Sequence, residues 1–108
     1  MLLADHAKRI LAYRNPVDMR KQFTGLVALV QSALGKDPLS GDLFVFFNRR
    51  RTILKAVYWD RTGYCLFSKR LEQGRFVLPG TETTHELDDR TLQLILDGIH
   101  LGRKRHMR

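Results

Sequence analysis

Residues 41–79 read GDLFVFFNRRRTILKAVYWDRTGYCLFSKRLEQGRFVLP, and this block decides the fold. Three apolar, aromatic-rich runs, Leu43–Phe47, Thr52–Trp59 and Tyr64–Lys69, are separated by short turns that carry the positive charge. Runs of this length and composition, bounded by turn residues, are the pattern of an antiparallel meander. Asn48-Arg49-Arg50-Arg51 makes the first hairpin loop, and Asp60-Arg61-Thr62-Gly63 the second. In the second, Gly63 is the residue suited to positive φ. Thr52–Trp59 alternates imperfectly. Ile53, Lys55, Val57 and Trp59 share one side, and Leu54, Ala56 and Tyr58 the other. Apolar groups on both sides predict a central strand covered on parts of both faces. Phe76–Leu78 is expected as a further strand, ended by Pro79.

Working outward, Asp18–Leu34 predicts a helix. Phe23, Leu26, Val27, Val30 and Leu34 fall on one face. Asp18 suits the N-cap, and Gly35 suits the left-handed position that ends a helix. Gly25 within the helix is unfavourable by about 1 kcal/mol against Ala and points to close contact with a neighbour. Upstream, Lys8–Tyr13 reads as a short strand, although a short helix fits the pattern nearly as well. Downstream, 80–86 is polar and expected to be mobile. Asp88 then caps a last helix whose Leu92, Ile95, Leu96 and Ile99 share a face. Residues 103–108 have no apolar period and form a basic tail. The result is a small α+β domain over 1–102: an antiparallel meander of four to five strands packed with two helices.

The 108 residues leave room for one core, without a second domain beside it. Lys and Arg number 19 against 11 Asp and Glu, a formal charge of +8. That excess favours anionic partners, nucleic acid first among them, though a basic chain need not bind one. Cys65 is the only cysteine, so no internal disulfide or thiolate metal cluster can form, and the chain reads as cytoplasmic. No apolar run is long enough to span a membrane.

Beyond these general features, several spaced motifs are distinctive. Asp18-Met19-Arg20-Lys21 is followed by Phe23, Gly25 and Leu26. Leu43-Phe44-Val45-Phe46, then Arg49-Arg50-Arg51 before Leu54-Lys55, then Trp59-Asp60, Gly63 and Leu66 follow in order. Lys69-Arg70-Leu71-Glu72 and Gly74-Arg75-Phe76 complete the series. Together they resemble the TnpB, or Orf2-like, accessory family of the insertion sequences of family sixty-six, over roughly residues 9 to 100. Gln22 stands where that family usually has a small residue, and the segment after Gly102 is variable. The resemblance implies a part in moving a transposable element, beside a larger transposase that does the strand chemistry and another small element-encoded protein.

For the chemistry, Arg49, Arg50 and Arg51 come first. Guanidiniums at a hairpin tip can meet phosphate oxygens in bidentate fashion, and they also serve a plain solvated turn. Lys55, Arg61, Lys69, Arg70 and Arg75 could extend a basic stripe, but Lys69 and Arg70 must face opposite ways, and one could pair with Glu72. Arg20 and Lys21 at a helix start oppose the helix dipole, which suggests contact with an acidic group or with DNA. The aromatics Phe44, Phe46, Phe47, Tyr58, Trp59, Tyr64 and Phe67 suit a core more readily than a base-stacking platform. Most acids sit at caps and turns, and His6, His85, His100 and His106 are scattered without metal-ligand spacing. The expectation is a non-catalytic accessory factor without a cofactor. It contacts element DNA, the transposase or both, and self-association stays open. The rival is a protein–protein adaptor that does not touch DNA.

Overall fold

The structure, a computed structural model, describes residues 7–98. Ile99, the basic tail 103–108, His6, His100 and His106 lie outside the described residues. The elements run β1 (Ile10–Tyr13), α1 (Phe23–Ser32), β2 (Leu43–Phe47), β3 (Ile53–Asp60), β4 (Gly63–Arg70), β5 (Thr84–Leu87) and α2 (Asp89–Leu96). They build a five-stranded sheet in the order β4-β3-β2-β1-β5. The α+β class and the meander β2–β3–β4 match the expectation from sequence. The sheet is mixed, however, because β1 pairs with β2 in parallel. Its remaining neighbours are antiparallel.

The middle strand is β2, and β3 lies between it and the edge strand β4. All five residues of β2 are buried. Its unbroken apolar run is what a strand covered on both faces requires. Leu43, Val45 and Phe47 face a core that includes Ile10, Ala12, Leu54, Ala56 and the α2 residues Leu92, Ile95 and Leu96. Phe44 and Phe46 face the other core, with Leu11, Val57 and the α1 residues Leu26 and Val30. The two helices therefore cover opposite faces. α2 begins as expected: the Asp88 carboxylate accepts the Thr91 N–H at 2.7 Å. α1 ends at Ser32 with Ala33 as its C-cap, two residues before the expected Leu34, and Gly35 takes the expected left-handed conformation just beyond, at φ 65°.

Three expectations are corrected. α1 starts at Phe23 rather than at Asp18. The Asp18 carboxylate is taken by the backbone N–H of Arg20 at 2.9 Å and by its guanidinium at 2.6 Å. The carbonyls of Met19 and Lys21 accept from the Lys55 ammonium, at 2.8 and 2.9 Å, which fixes this turn, and the helical ladder begins with Leu26 N–H on the Gln22 carbonyl at 2.9 Å. Arg20 and Lys21 thus lie in a turn before the helix. The close neighbour of Gly25 is this same turn, since a Cβ there would stand 3.0 Å from the Lys21 side chain.

The second correction concerns 76–87. Phe76 and Leu78 are buried but join no ladder, and the strand is Thr84–Leu87, antiparallel to β1. Arg14 explains the difference. Its guanidinium donates to the carbonyls of Glu82 at 2.7 Å, Leu78 at 3.1 Å and Pro79 at 2.6 Å. The Thr83 carbonyl meanwhile accepts the Arg14 N–H at 2.7 Å, which sets the chain into register with β1. Third, the positive φ in the β3–β4 turn falls on Arg61, at 50°, and not on Gly63.

Two outcomes test this frame. Lys55 is 6% exposed, and Lys55→Met leaves two carbonyls without their donor. Urea denaturation should show a loss of about 2–4 kcal/mol, the cost of unsatisfied acceptors. In the loop before β5, the Glu82 carboxylate accepts its own N–H, bonds the His85 ring and accepts the Thr81 N–H, which together lower its pKa from 4.5 to about 2. A lowered folded-state pKa contributes stability above the unfolded value and loses it as pH falls through the folded one. The slope of stability against pH between 4.5 and about 2 should therefore be flatter in Glu82→Gln than in the natural chain.

Candidate nucleic-acid interface

The hairpin between β2 and β3 is built by Asn48. Its side-chain oxygen accepts the N–H groups of Thr52 at 2.9 Å and Ile53 at 3.0 Å, and Arg51 N–H closes onto the Asn48 carbonyl at 3.1 Å. The segment after β4 docks onto this tip: Leu71 N–H donates to Thr52 O at 2.9 Å, and Phe76 N–H to Arg51 O at 2.7 Å. The tip, the end of β4 and the 71–76 loop thus meet at one end of the sheet. That brings Arg49, Arg50, Arg51, Arg70 and Arg75 together, with Arg14 added at the end of β1.

These cations are not equivalent. Arg49, Arg50 and Arg75 are exposed and form no ion pair among the described residues. Arg70 is exposed too, but its Nε lies 3.1 Å from a Glu72 carboxylate oxygen. Arg51 turns inward. It adopts φ 60°, stacks its guanidinium 4.9 Å from the centre of the Phe47 ring, and donates Nη2 to Arg14 O at 2.6 Å. Its Nη1 is buried and unbonded. Burial first, then the neighbouring Arg14, lowers its pKa below the ordinary arginine value.

The other residues of the expected stripe lie elsewhere. Lys69 donates to the Leu96 carbonyl at 2.8 Å and so closes the C-terminal end of α2. Lys55 is spent on Met19 and Lys21, as described. Arg20 is paired with Asp18 at 2.6 Å, and that pairing lowers the Asp18 pKa to about 2. The Lys21 side chain is exposed beside α1. Arg61 stands at the opposite end of the sheet, 3.4 Å from Asp60. The sequence reading missed Arg14: a lone arginine after a short strand carries no local sign that it will bond carbonyls some 65 residues away.

Phe44, Phe46 and Phe47 are at most 1% exposed and are core residues. Trp59 and Tyr64 are half-buried and meet edge to face at 5.1 Å. Among the described residues, no three His, Cys, Asp or Glu side chains come together as a metal site would need. No described helix is long and apolar enough to cross a membrane.

A model of the family described as "IS66 Orf2 like protein" matches residues 8–106. Two proteins of Sinorhizobium fredii (strain NBRC 101917 / NGR234) are similar to the chain. "Uncharacterized protein y4jC" is 49% identical over 66% of this chain and 61% of its own length. "Uncharacterized protein y4hO" is 43% identical over 76% of this chain and 71% of its own. The chain thus spans about three fifths of the length of the first of these relatives. No solved structure matches significantly.

The three consecutive arginines should separate in a denaturation series. Arg51→Ala removes a charged hydrogen bond and the stack on Phe47, and should cost about 2 kcal/mol. Arg49→Ala and Arg50→Ala touch nothing internal and should leave the urea midpoint where it is.

Proposed function

Because the chain belongs to the IS66 Orf2-like family, a transposition-associated family, we propose that it is a non-catalytic accessory factor that holds insertion-sequence DNA in the cytoplasm. The observation that carries this reading is the placement of Arg49, Arg50 and Arg75. All three are exposed at one end of the sheet and have no acidic partner among the described residues. Free guanidiniums at a tip can grip phosphate oxygens in bidentate geometry without first breaking an internal ion pair. Arg70, held only by an exposed Glu72, is the next available cation. Such bonds go to the DNA backbone and hold it without reading sequence.

A second reading is favoured by Val77, 38% exposed in the same loop as Arg75. An apolar side chain beside free cations also suits an acidic protein surface. In that reading the transposase, or another element-encoded protein, is the partner, and DNA is held indirectly.

Titration of the isolated protein with duplex terminal-repeat DNA across a salt series separates the two. A DNA holder binds alone, with affinity falling steeply as salt rises. Replacing Arg49, Arg50 and Arg75 together with Ala should flatten the slope of log K against log salt by up to about 0.9 for each phosphate no longer neutralised. An unchanged slope removes this surface as the site. Binding seen only with the transposase present selects the adaptor.

A further inference from the structure

The two edges of the sheet differ. β5 is polar and only four residues long. β4 runs unbroken for eight residues, contains no proline, and pairs with β3 without a bulge from Ile53↔Arg70 to Asp60↔Gly63. A long, regular edge strand is a template for pairing with another strand.

The direction of its free groups follows from the ladder. Leu71 N–H bonds to Thr52 O, so the odd-numbered residues of this strand exchange hydrogen bonds with β3. Tyr64, Leu66, Ser68 and Arg70 therefore turn their N–H and C=O groups away from the sheet. The same residues put their side chains on the α1 face, where Tyr64 and Leu66 pack only partly into the core. Beside them α1 exposes Phe23, at 44%, and an apolar groove of about 290 Å³ runs along Phe23, Val27, Ala28 and Tyr64.

We propose that β4 pairs antiparallel with β4 of a second copy of this chain, joining the two sheets and setting the α1 helices side by side over the groove. Only registers that oppose even-numbered residues satisfy the outward groups of both copies. One of them uses all four: Tyr64 opposite Arg70 of the second copy, and Leu66 opposite its Ser68. Phe67 then faces its own counterpart across the twofold axis. This register also answers the charge. Arg70 of each copy reaches the Trp59–Tyr64 aromatic pair of the other, a cation–π partner rather than a cation. The two Arg70 residues stand six strand positions apart, roughly 20 Å, beyond the screening length of about 8 Å at physiological salt. The inference does not rest on the DNA-holding reading, but the pairing engages Arg70 and leaves Arg49, Arg50 and Arg75 as the cations free for DNA.

Sedimentation velocity of the full chain from about 1 to 100 μM tests it. The natural chain should sediment as a dimer in that range. Leu66→Lys and Phe23→Glu should sediment as monomers with unchanged far-ultraviolet circular dichroism. On a Cys65→Ser background, Phe67→Cys should oxidise to a covalent dimer, because facing residues of a non-hydrogen-bonded pair lie about 4.5 Å apart, within disulfide reach. A natural chain that stays monomeric throughout, a dimer indifferent to both surface variants, or a Phe67→Cys chain that does not cross-link overturns the proposal.

Discussion

Cationic side chains hold the irregular segments of this protein to its sheet. The connection 14–22 and the long passage 71–83 have little secondary structure of their own, so their carbonyls lack ladder partners. Buried carbonyls must be satisfied, and in this chain lysine and arginine do it. Lys55 holds the turn before α1, Arg14 holds the loop before β5, Arg51 holds the end of β1, and Lys69 closes α2. Each reaches across the fold to backbone distant in sequence. Hydrogen bonds from charged donors are the stronger kind, worth about 1.5–3 kcal/mol each. They add to the backbone bonds, such as Val17 N–H to Phe47 O at 2.9 Å, that fix the chain leading into and away from the parallel β1–β2 pairing.

Reach across the chain also separates what is legible in the sequence from what is not. β2, β3 and β4 are legible because hairpins are local: the strand pattern and the turn residues lie side by side in the chain. The Asp88 cap is legible for the same reason. β5 is not, because Thr84, His85 and Glu86 have the character of loop residues, and they form a strand only since Arg14 and β1 present a ladder to them. Phe76–Leu78 has the pattern of a strand because it is an apolar run before a proline, in which Phe76 and Leu78 would point one way. It buries those residues from an irregular backbone instead. The start of α1 is hidden because Asp18 has the right chemistry for a cap, and nothing nearby announces that Lys55 will claim the carbonyls.

The candidate site is legible only as a composition. Sequence can count arginines and lysines, but it cannot tell a guanidinium that faces solvent from one that bonds a carbonyl. Arg49, Arg50 and Arg51 are adjacent and chemically identical, yet the turn sends two outward and one over Phe47. The left-handed backbone at Arg51 makes this division, and it is set by the Asn48 hydrogen bonds that shape the hairpin.

A polyanion approaching the protein would meet these two kinds of cation differently. Long-range attraction sums every charge, whether or not its hydrogen bonds are already made, so the full +8 drives the encounter. Close binding is another matter. A cation already donating to an internal carbonyl or carboxylate is held in place and has fewer donors left to turn toward phosphate. The rate of association should thus follow the total charge, while the salt dependence at equilibrium follows the cations that reach phosphate, with the free guanidiniums at the sheet end first among them. A small basic protein of this kind can be drawn strongly to nucleic acid and still hold it through a narrow surface, because several of its cations, Arg14, Arg51, Lys55 and Lys69 among them, are occupied in keeping it folded.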